Sequence, residues 1–222
     1  MSGKIIAIEG IDGSGKGTQS RRLVETLQSE GLTVTLLSFP RYSSTRFGAA
    51  IGEFLNGRFG DLDTVSPWLI SVLYAGDRFE SKAVIDEAVA SNDLLLFDRY
   101  TSSNIAHQGA KVDATERDEI IRWIEEIEHN VFGLPRPDLN LLLDVSVETS
   151  QALIRKKAPR DYTDAAADLQ ESDVAYMSGV HACYQQLARR SDWQSIACET
   201  TDGVRSMDEI ATEVREAIRS VL

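Results

Sequence analysis

The sequence predicts an α/β fold with a parallel sheet covered by helices on both faces. Two observations carry this. Short apolar runs alternate with stretches of helical periodicity along the whole chain, the pattern of repeated strand–helix–strand units. The runs are also continuously apolar, as strands buried on both faces require.

The first run, Lys4–Glu9 (KIIAIE), reads as a buried strand. From Lys16 onward, Leu23, Val24 and Leu27 share one helical face, and Gly31 stands where a helix stop is expected. Thr33–Phe39 (TVTLLSF) reads as a second strand, ending at the loop FPRYSSTRFG with its Pro40. Thr45–Asn56 reads as a short helix. Ser66–Ala90 reads as one long helix, capped by Ser66 with Pro67 at its first position. DLLLFDRY (Asp93–Tyr100) is a third strand ending in Asp98, and Ala114–Asn130 an acidic amphipathic helix. Leu139–Val145 is a fourth strand and Val147–Lys157 a helix. Ala158–Asp168 then loses apolar periodicity. Leu169–Arg190 reads as a long helix, Trp193–Cys198 as a fifth strand and Met207–Leu222 as the last helix. Repeats, low-complexity tracts and linkers are absent, so residues 1–222 are expected to form one domain. The irregular stretch reads as a mobile flap, not as a boundary.

Composition narrows the partners. The chain has 222 residues, a net charge of −12 and an ordinary hydrophobic content of 42%. Such an acidic protein is unsuited to non-specific binding of nucleic acid or of an anionic membrane. A phosphate ligand must therefore meet locally placed cations. Two cysteines, Cys183 and Cys198, make no metal-ligand spacing and suit a reducing compartment. No apolar run reaches transmembrane length, and a first strand at Lys4 leaves no room for a cleaved signal peptide, so a cytoplasmic location is expected.

Ligands of such sheets bind beyond the carboxyl ends of the strands. The first of those ends is EGIDGSGKGTQ, which meets G-x-x-x-x-G-K-[ST] at Gly10, Gly15 and Lys16 but has Gly17 at the hydroxyl position and Thr18 one place later. Strand, glycine turn, lysine and helix start together make a phosphate cradle, because free N–H groups and the positive dipole end point at the ligand. Lys16 is placed for the terminal phosphates of a nucleotide. Thr18 and Ser14 offer hydroxyls, and Asp98 is the natural carboxylate to hold magnesium through water. Asp12 puts a negative charge inside an anion cradle. It serves either as a turn former before Gly13 or as an acceptor for a substrate hydroxyl.

Three arginines close the inventory: Arg41 in FPRY, Arg78 in YAGDRFE and Arg99 in DRY. Arg41 and Arg99 follow strand ends, where a second phosphate would lie. Phe39, Tyr74 and Tyr100 are candidates for stacking on a base or for core packing. RKKAPRDYTD (Arg155–Asp164) gathers four cations in six residues of an acidic protein, as a lid that screens transition-state charge would.

In their order and spacing, EGIDGSGKGTQ, FPRY, YAGDRFE, DRYTSSNIAHQGAK, GLPRPDLNLLLDV and a basic stretch resemble the thymidylate kinases over nearly the whole chain. The resemblance implies a three-layer P-loop NTPase fold: a five-stranded parallel sheet flanked by helices, with a short mobile lid at about 155–168. It implies transfer of the γ-phosphoryl group of ATP to dTMP, giving dTDP and ADP in dTTP biosynthesis, with Mg2+ as cofactor and a cytoplasmic homodimer built on the helices near 66–90 and 114–130. Gly10, Ile11, Asp12, Gly13, Ser14, Gly15, Lys16, Gly17 and Thr18 would bind ATP, with the lid cations Arg155, Lys156, Lys157 and Arg160. Asp98 and Thr18 would serve the metal. Asp12 would accept from the sugar 3′-hydroxyl or lie near the metal. Arg41 and Arg99 would grip the acceptor phosphate. Phe39, Tyr74 and Ser103 would line the acceptor site, with Tyr74 stacked on thymine. Arg78 would donate to thymine O4, and Asn104 or Gln108 would read the other polar edge. The chain departs from the family in having His107 where an aromatic is common, no arginine inside the glycine loop, and DLQE after the lid.

Two rivals remain from sequence. One is another nucleotide or deoxynucleoside kinase of the same architecture. A nucleoside acceptor would present no phosphate to Arg41 and Arg99, and would need a carboxylate base. The other is a nucleotide-dependent switch, which needs the glycine loop but no second anion site and no stacking Tyr74.

Overall fold

The structure is a computed structural model describing residues 3–60, 64–155, 173–219 and 221–222. Five parallel strands form its sheet: β1 (Lys4–Glu9), β2 (Val34–Ser38), β3 (Leu94–Asp98), β4 (Leu139–Asp144) and β5 (Trp193–Ala197), in the order β2-β3-β1-β4-β5. The order fits the expected α/β fold. The chain passes from β1 over β3 to the β2 edge and later crosses to β4 on the other side of β1, so the crevice for a ligand opens beyond the ends of β1 and β3.

Alternation along the central strands sorts the core into two layers. Ile6, Ile8, Leu94 and Leu96 face one side with α1 (Lys16–Ser29) and α9 (Met207–Arg219), whereas α5 (Thr101–Gly109), α6 (Arg117–Glu125) and α8 (Val174–Leu187) lie over the opposite face, where Glu9 meets Ser103 and Tyr184. Ile5, Ala7, Leu95 and Phe97 face the other with Phe39, Tyr100, Leu134 and Ile85 and Ala88 of α4 (Lys82–Ser91). Each fully buried Ile or Leu contributes about 1.5–3 kcal/mol over an exposed one. α2 (Arg46–Leu55) and α3 (Pro67–Glu80) pair through Ile51, Phe54, Leu55 and Ile70. α7 (Val147–Ile154) follows β4, and a two-stranded hairpin of β6 (Glu199–Thr200) and β7 (Gly203–Val204) follows β5.

Several boundaries differ from the sequence reading. The single helix expected over 66–90 is two, divided at Ser81. The Ser81 hydroxyl donates to the Asp77 carbonyl at 2.9 Å, and its N–H bonds three residues back to Arg78 instead of four. Pro67 does open α3, but Ser66 makes no side-chain cap. The helix expected from Ala114 begins at Arg117 and passes after Glu125 into a π-helical turn, Glu126–Val131. α5 was not expected at all. Its TSSNIAHQG is rich in poor helix formers and carries no apolar stripe, and every side chain from Ser103 to Gly109 is buried, so tertiary contact overrides propensity. The basic stretch beyond Arg155, with Lys156, Lys157 and Arg160, lies outside the described residues, as does the start of the helix expected at Leu169.

Candidate active site

The glycine loop folds over its own lysine. Gly15 caps α1 with φ 94°, a left-handed conformation, and a side chain there would meet nothing within 4 Å, so the cradle is open above it. Gly13 also has positive φ. A Cβ on it would lie 2.6 Å from the Ser150 carbonyl, so the loop packs backbone to backbone against α7. The Lys16 ammonium donates to the carbonyls of Gly10 (2.9 Å) and Ile11 (2.8 Å) and lies 3.4 Å from Ser14 Oγ. Burial, then the nearby Arg99 guanidinium, lowers its pKa to about 7, against the partial opposition of Asp12, Asp98 and Glu9.

Asp98 ends β3 beside this loop. A Cβ on Gly17 would lie 3.1 Å from Asp98 Oδ2, so the residue missing a hydroxyl is the one that gives the carboxylate room. Among the described residues no three His, Cys, Asp or Glu side chains form a metal cage. That donor set fits a magnesium ion held mainly by nucleotide phosphates and its own waters, with one carboxylate nearby. Thr18 sits half-buried in the first turn of α1, its N–H on the Gly15 carbonyl.

Next to the loop lies a cavity of about 260 Å3. Asp12 and Arg99 stand on its wall as an ion pair, with Ser103, Asn104, His107 and Gln108 of α5, Phe39, Tyr74 and Arg78. Arg99 adopts φ 68°, unusual for a side-chain-bearing residue, directly after the strand. This turn carries its guanidinium back to Asp12 and, at 3.3 Å, to the Ser103 hydroxyl. Burial opposes the charge of Arg99, and Asp12 together with Tyr184, Asp98 and Glu9 outweighs it, so its pKa is raised.

Arg78 is 2% exposed. Its Nε and Nη2 donate to Glu128 Oε2 (2.6 Å) and Oε1 (2.5 Å), and its guanidinium lies near the rings of Phe39 and Tyr100, 5.9 and 6.0 Å from their centroids. Phe39 is core as well as wall, and Tyr100 is core, its ring stacked on Phe97 with centroids 4.0 Å apart. Asn104 donates its amide to Glu128 Oε1 and to the Ser71 carbonyl, both at 2.9 Å. Asn104 Oδ1 and both polar atoms of Gln108 are buried without a hydrogen-bond partner among the described residues. In a cavity wall, such atoms mark where a ligand's polar edge belongs. His107 fills the place of the expected aromatic, its Nδ1 2.9 Å from the Tyr176 hydroxyl. Burial above all lowers its pKa to about 3, so the ring is neutral.

Arg41 departs from expectation. Its Nη1 donates to the Ser81 hydroxyl at 2.9 Å and it does not line the cavity. Its backbone N–H is held by the buried Asp77, which also accepts from Thr45, the cap of α2. The loop after β2 is thus pinned to α3 at the break that the single-helix reading overlooked. Arg155, exposed at the end of α7, follows Ile154, which touches the glycine loop at Gly13.

Three supporting groups escaped the sequence reading. Glu9 is fully buried at the end of β1 and accepts from the Tyr100 N–H (2.8 Å), the Ser103 hydroxyl (2.6 Å) and the Tyr184 hydroxyl (3.0 Å). Burial raises its pKa against those hydrogen bonds. Tyr184 reaches this cluster from α8. Glu128 had a signal: it follows Ile120 and Ile124 at four-residue steps, a carboxylate on the apolar face of its helix.

Comparison with known proteins bears on the family and the fold. Residues 8–210 match the family model described as thymidylate kinase. A thymidylate kinase of Mycobacterium tuberculosis is 34% identical over 184 residues, covering 83% of this chain and 85% of that one. The human thymidylate kinase is 27% identical over 224 residues, covering 98% and 92%. A Candida albicans thymidylate kinase structure superimposes with TM-score 0.73 at 24% identity, covering 99% of this chain and 92% of that one, which supports the fold.

Proposed function

The chain belongs to the thymidylate kinase family and phosphorylates dTMP from ATP, and from that premise we propose how its own residues divide the work. The observation that carries the proposal is the adjacency of two anion-competent centres. Lys16 lies under the glycine loop, and Arg99, paired with Asp12, opens on a cavity lined by Asn104 and Gln108, whose Oδ1 and amide atoms, respectively, have no hydrogen-bond partner among the described residues.

Gly10–Thr18 wrap the ATP phosphates, and Lys16 exchanges its two loop carbonyls for phosphate oxygens. Arg99 turns from Asp12 to the acceptor phosphate, supported by Ser103. Arg41 reaches that phosphate only by leaving Ser81. Asp12, released from Arg99, accepts from the sugar 3′-hydroxyl or sits near the metal. Tyr74 covers one face of the thymine, over the floor made by Phe39. Arg78 donates to O4, and Asn104 with Gln108 meets the remaining edge. Arg155 and the lid cations Lys156, Lys157 and Arg160 approach the transferred group from the α7 side.

Asp98 and Thr18 would hold Mg2+, in part through water, and the bound ion would supply positive charge against the phosphates. The acceptor oxygen is already ionised, so no general base is required; positioning and charge screening do the chemistry. The whole chain acts as one domain. Phe47, Leu69, Phe79 and Trp123 are large apolar side chains exposed on α2, α3 and α6, which supports a homodimer through that side. No helix among the described residues is long and apolar enough to cross a membrane. A cytoplasmic location belongs to this reading, supported by the free, buried thiols of Cys183 and Cys198.

Phosphorus NMR of a mixture of protein, ATP, dTMP and magnesium tests the division. It is expected to show dTDP and ADP appearing together, and Lys16→Met is expected to slow this by roughly a hundredfold or more. Undiminished turnover in Lys16→Met would refute the role given to the lysine.

A further inference from the structure

We infer that Glu128, outside the cavity, is a positioning residue that sets the hydrogen-bond polarity of the base site and thereby its preference for thymine over cytosine. The inference rests on the dTMP reading above.

Glu128 is fully buried and accepts four hydrogen bonds: two from Arg78, one from the Thr101 hydroxyl at 2.8 Å and one from the Asn104 amide. Two of the three donor side chains, Arg78 and Asn104, line the cavity. An ionised carboxylate is an acceptor only, and so is a backbone carbonyl. Asn104 lies between one of each, Glu128 Oε1 and the Ser71 carbonyl. Only its NH2 group fits between two acceptors, so its Oδ1 must take the other side, where it is buried without a partner among the described residues. The orientation of this amide follows from its neighbours.

Arg78 is fixed by the same group. Glu128 occupies Nε and Nη2, which settles the rotation of the planar fork and leaves Nη1 outside the pair. The cavity therefore offers a donor from Arg78 and an acceptor from Asn104. Thymine carries the matching sequence, a carbonyl oxygen beside a ring N–H. Cytosine carries the opposite, an amino group beside a bare ring nitrogen. It would face donor with donor and acceptor with acceptor. Burial works to raise the pKa of the Glu128 carboxyl, but Arg78 with the Asn104 and Thr101 hydrogen bonds holds it below its usual range, so the group stays ionised.

The test compares wild type, Glu128→Gln and Glu128→Asp with dTMP and dCMP as acceptors, with a thermal melt of each protein. In Glu128→Gln one acceptor becomes a donor, so the Asn104 amide can invert. KM for dTMP is expected to rise at least about tenfold with kcat changed less, and the dTMP-to-dCMP ratio of kcat/KM to fall at least about tenfold. Glu128→Asp remains acceptor-only but is one methylene short. It is expected to raise KM for dTMP while keeping the preference for dTMP. A folded Glu128→Gln with the wild-type ratio would overturn the inference. Should Glu128→Gln fail to fold, an unchanged KM in Glu128→Asp would overturn it equally. Wild type that leaves dTMP untouched would instead overturn the functional reading on which the inference rests.

Discussion

The Asp12 carboxylate and the Arg99 guanidinium are ion-paired where the glycine loop meets the cavity. A phosphate entering the acceptor site must replace one half of that pair, and either side chain released is left facing substrate. The left-handed turn at Arg99 and the Glu9 cluster behind Tyr100 and Ser103 hold the guanidinium at this junction. Arg99→Lys keeps the charge but loses the fork, so kcat with dTMP is expected to fall by roughly a hundredfold, with little change in ATP binding. A kcat within about threefold of wild type would show that the guanidinium is not at the reacting phosphates.

Lys16 gives a proton signature. Its pKa is lowered to about 7 in the free protein, chiefly by burial. Nucleotide phosphates favour the charged form, so MgATP binding at pH 8 is expected to take up protons, and affinity to weaken as pH rises above about 7. Calorimetry in buffers of different ionisation enthalpy reads this directly, and Lys16→Met removes it. Binding heats independent of buffer would contradict a neutral lysine waiting under the loop.

His107 governs acid stability. The folded protein leaves its ring unprotonated down to about pH 3, whereas the unfolded chain protonates it near pH 6.5. The unfolded state therefore binds the extra proton between these values, and stability is lost as pH falls through that window. By pH 5 the loss is about 2 kcal/mol relative to neutral pH. Denaturant melts of His107→Gln at pH 7 and pH 5 are expected to differ less than those of wild type by this amount. An equal pH dependence in both proteins would contradict it.

Gly13→Ala probes the contact of the loop with α7. The left-handed backbone alone costs about 1–2 kcal/mol for alanine, and the new Cβ would meet the Ser150 carbonyl at 2.6 Å. The melting temperature is expected to drop by at least about 4 °C, since each kcal/mol is worth about 2–4 °C in a chain of this size. ATP affinity should fall with it. Gly15→Ala strains the backbone alike but meets no atom, so its stability loss should be the smaller.

The parts of the fold that were legible in sequence are those in which local pattern and burial agree. KIIAIE and DLLLFD are buried strands in any context, and the glycine loop requires the strand and helix that flank it. α5 was illegible because it holds together by burial around the site, not by propensity. The break at Ser81 was hidden because the apolar pattern runs through it, and the serine hydroxyl that bonds back to Asp77 is also met by Arg41 from a distant loop. The structure brings Asp12, Arg78, Arg99 and Asn104, singled out by their motifs, to one cavity, and Lys16 to the loop beside it. The four-residue steps Ile120, Ile124, Glu128 gave a sign of burial, but the partners of Glu9 and Glu128 had none, because a buried carboxylate reveals its donors only once the chain has folded. Arg41 shows the converse: a motif position does not disclose which partner the side chain has taken.

The most direct measurement is ADP release from ATP and magnesium with dTMP, dUMP, AMP and thymidine offered separately, in wild type and Arg78→Ala. Fast turnover with dTMP, little with AMP or thymidine, and loss of that turnover in Arg78→Ala are the expected results. Turnover with thymidine or AMP in place of dTMP, or an unaffected Arg78→Ala, would contradict the acceptor site described here.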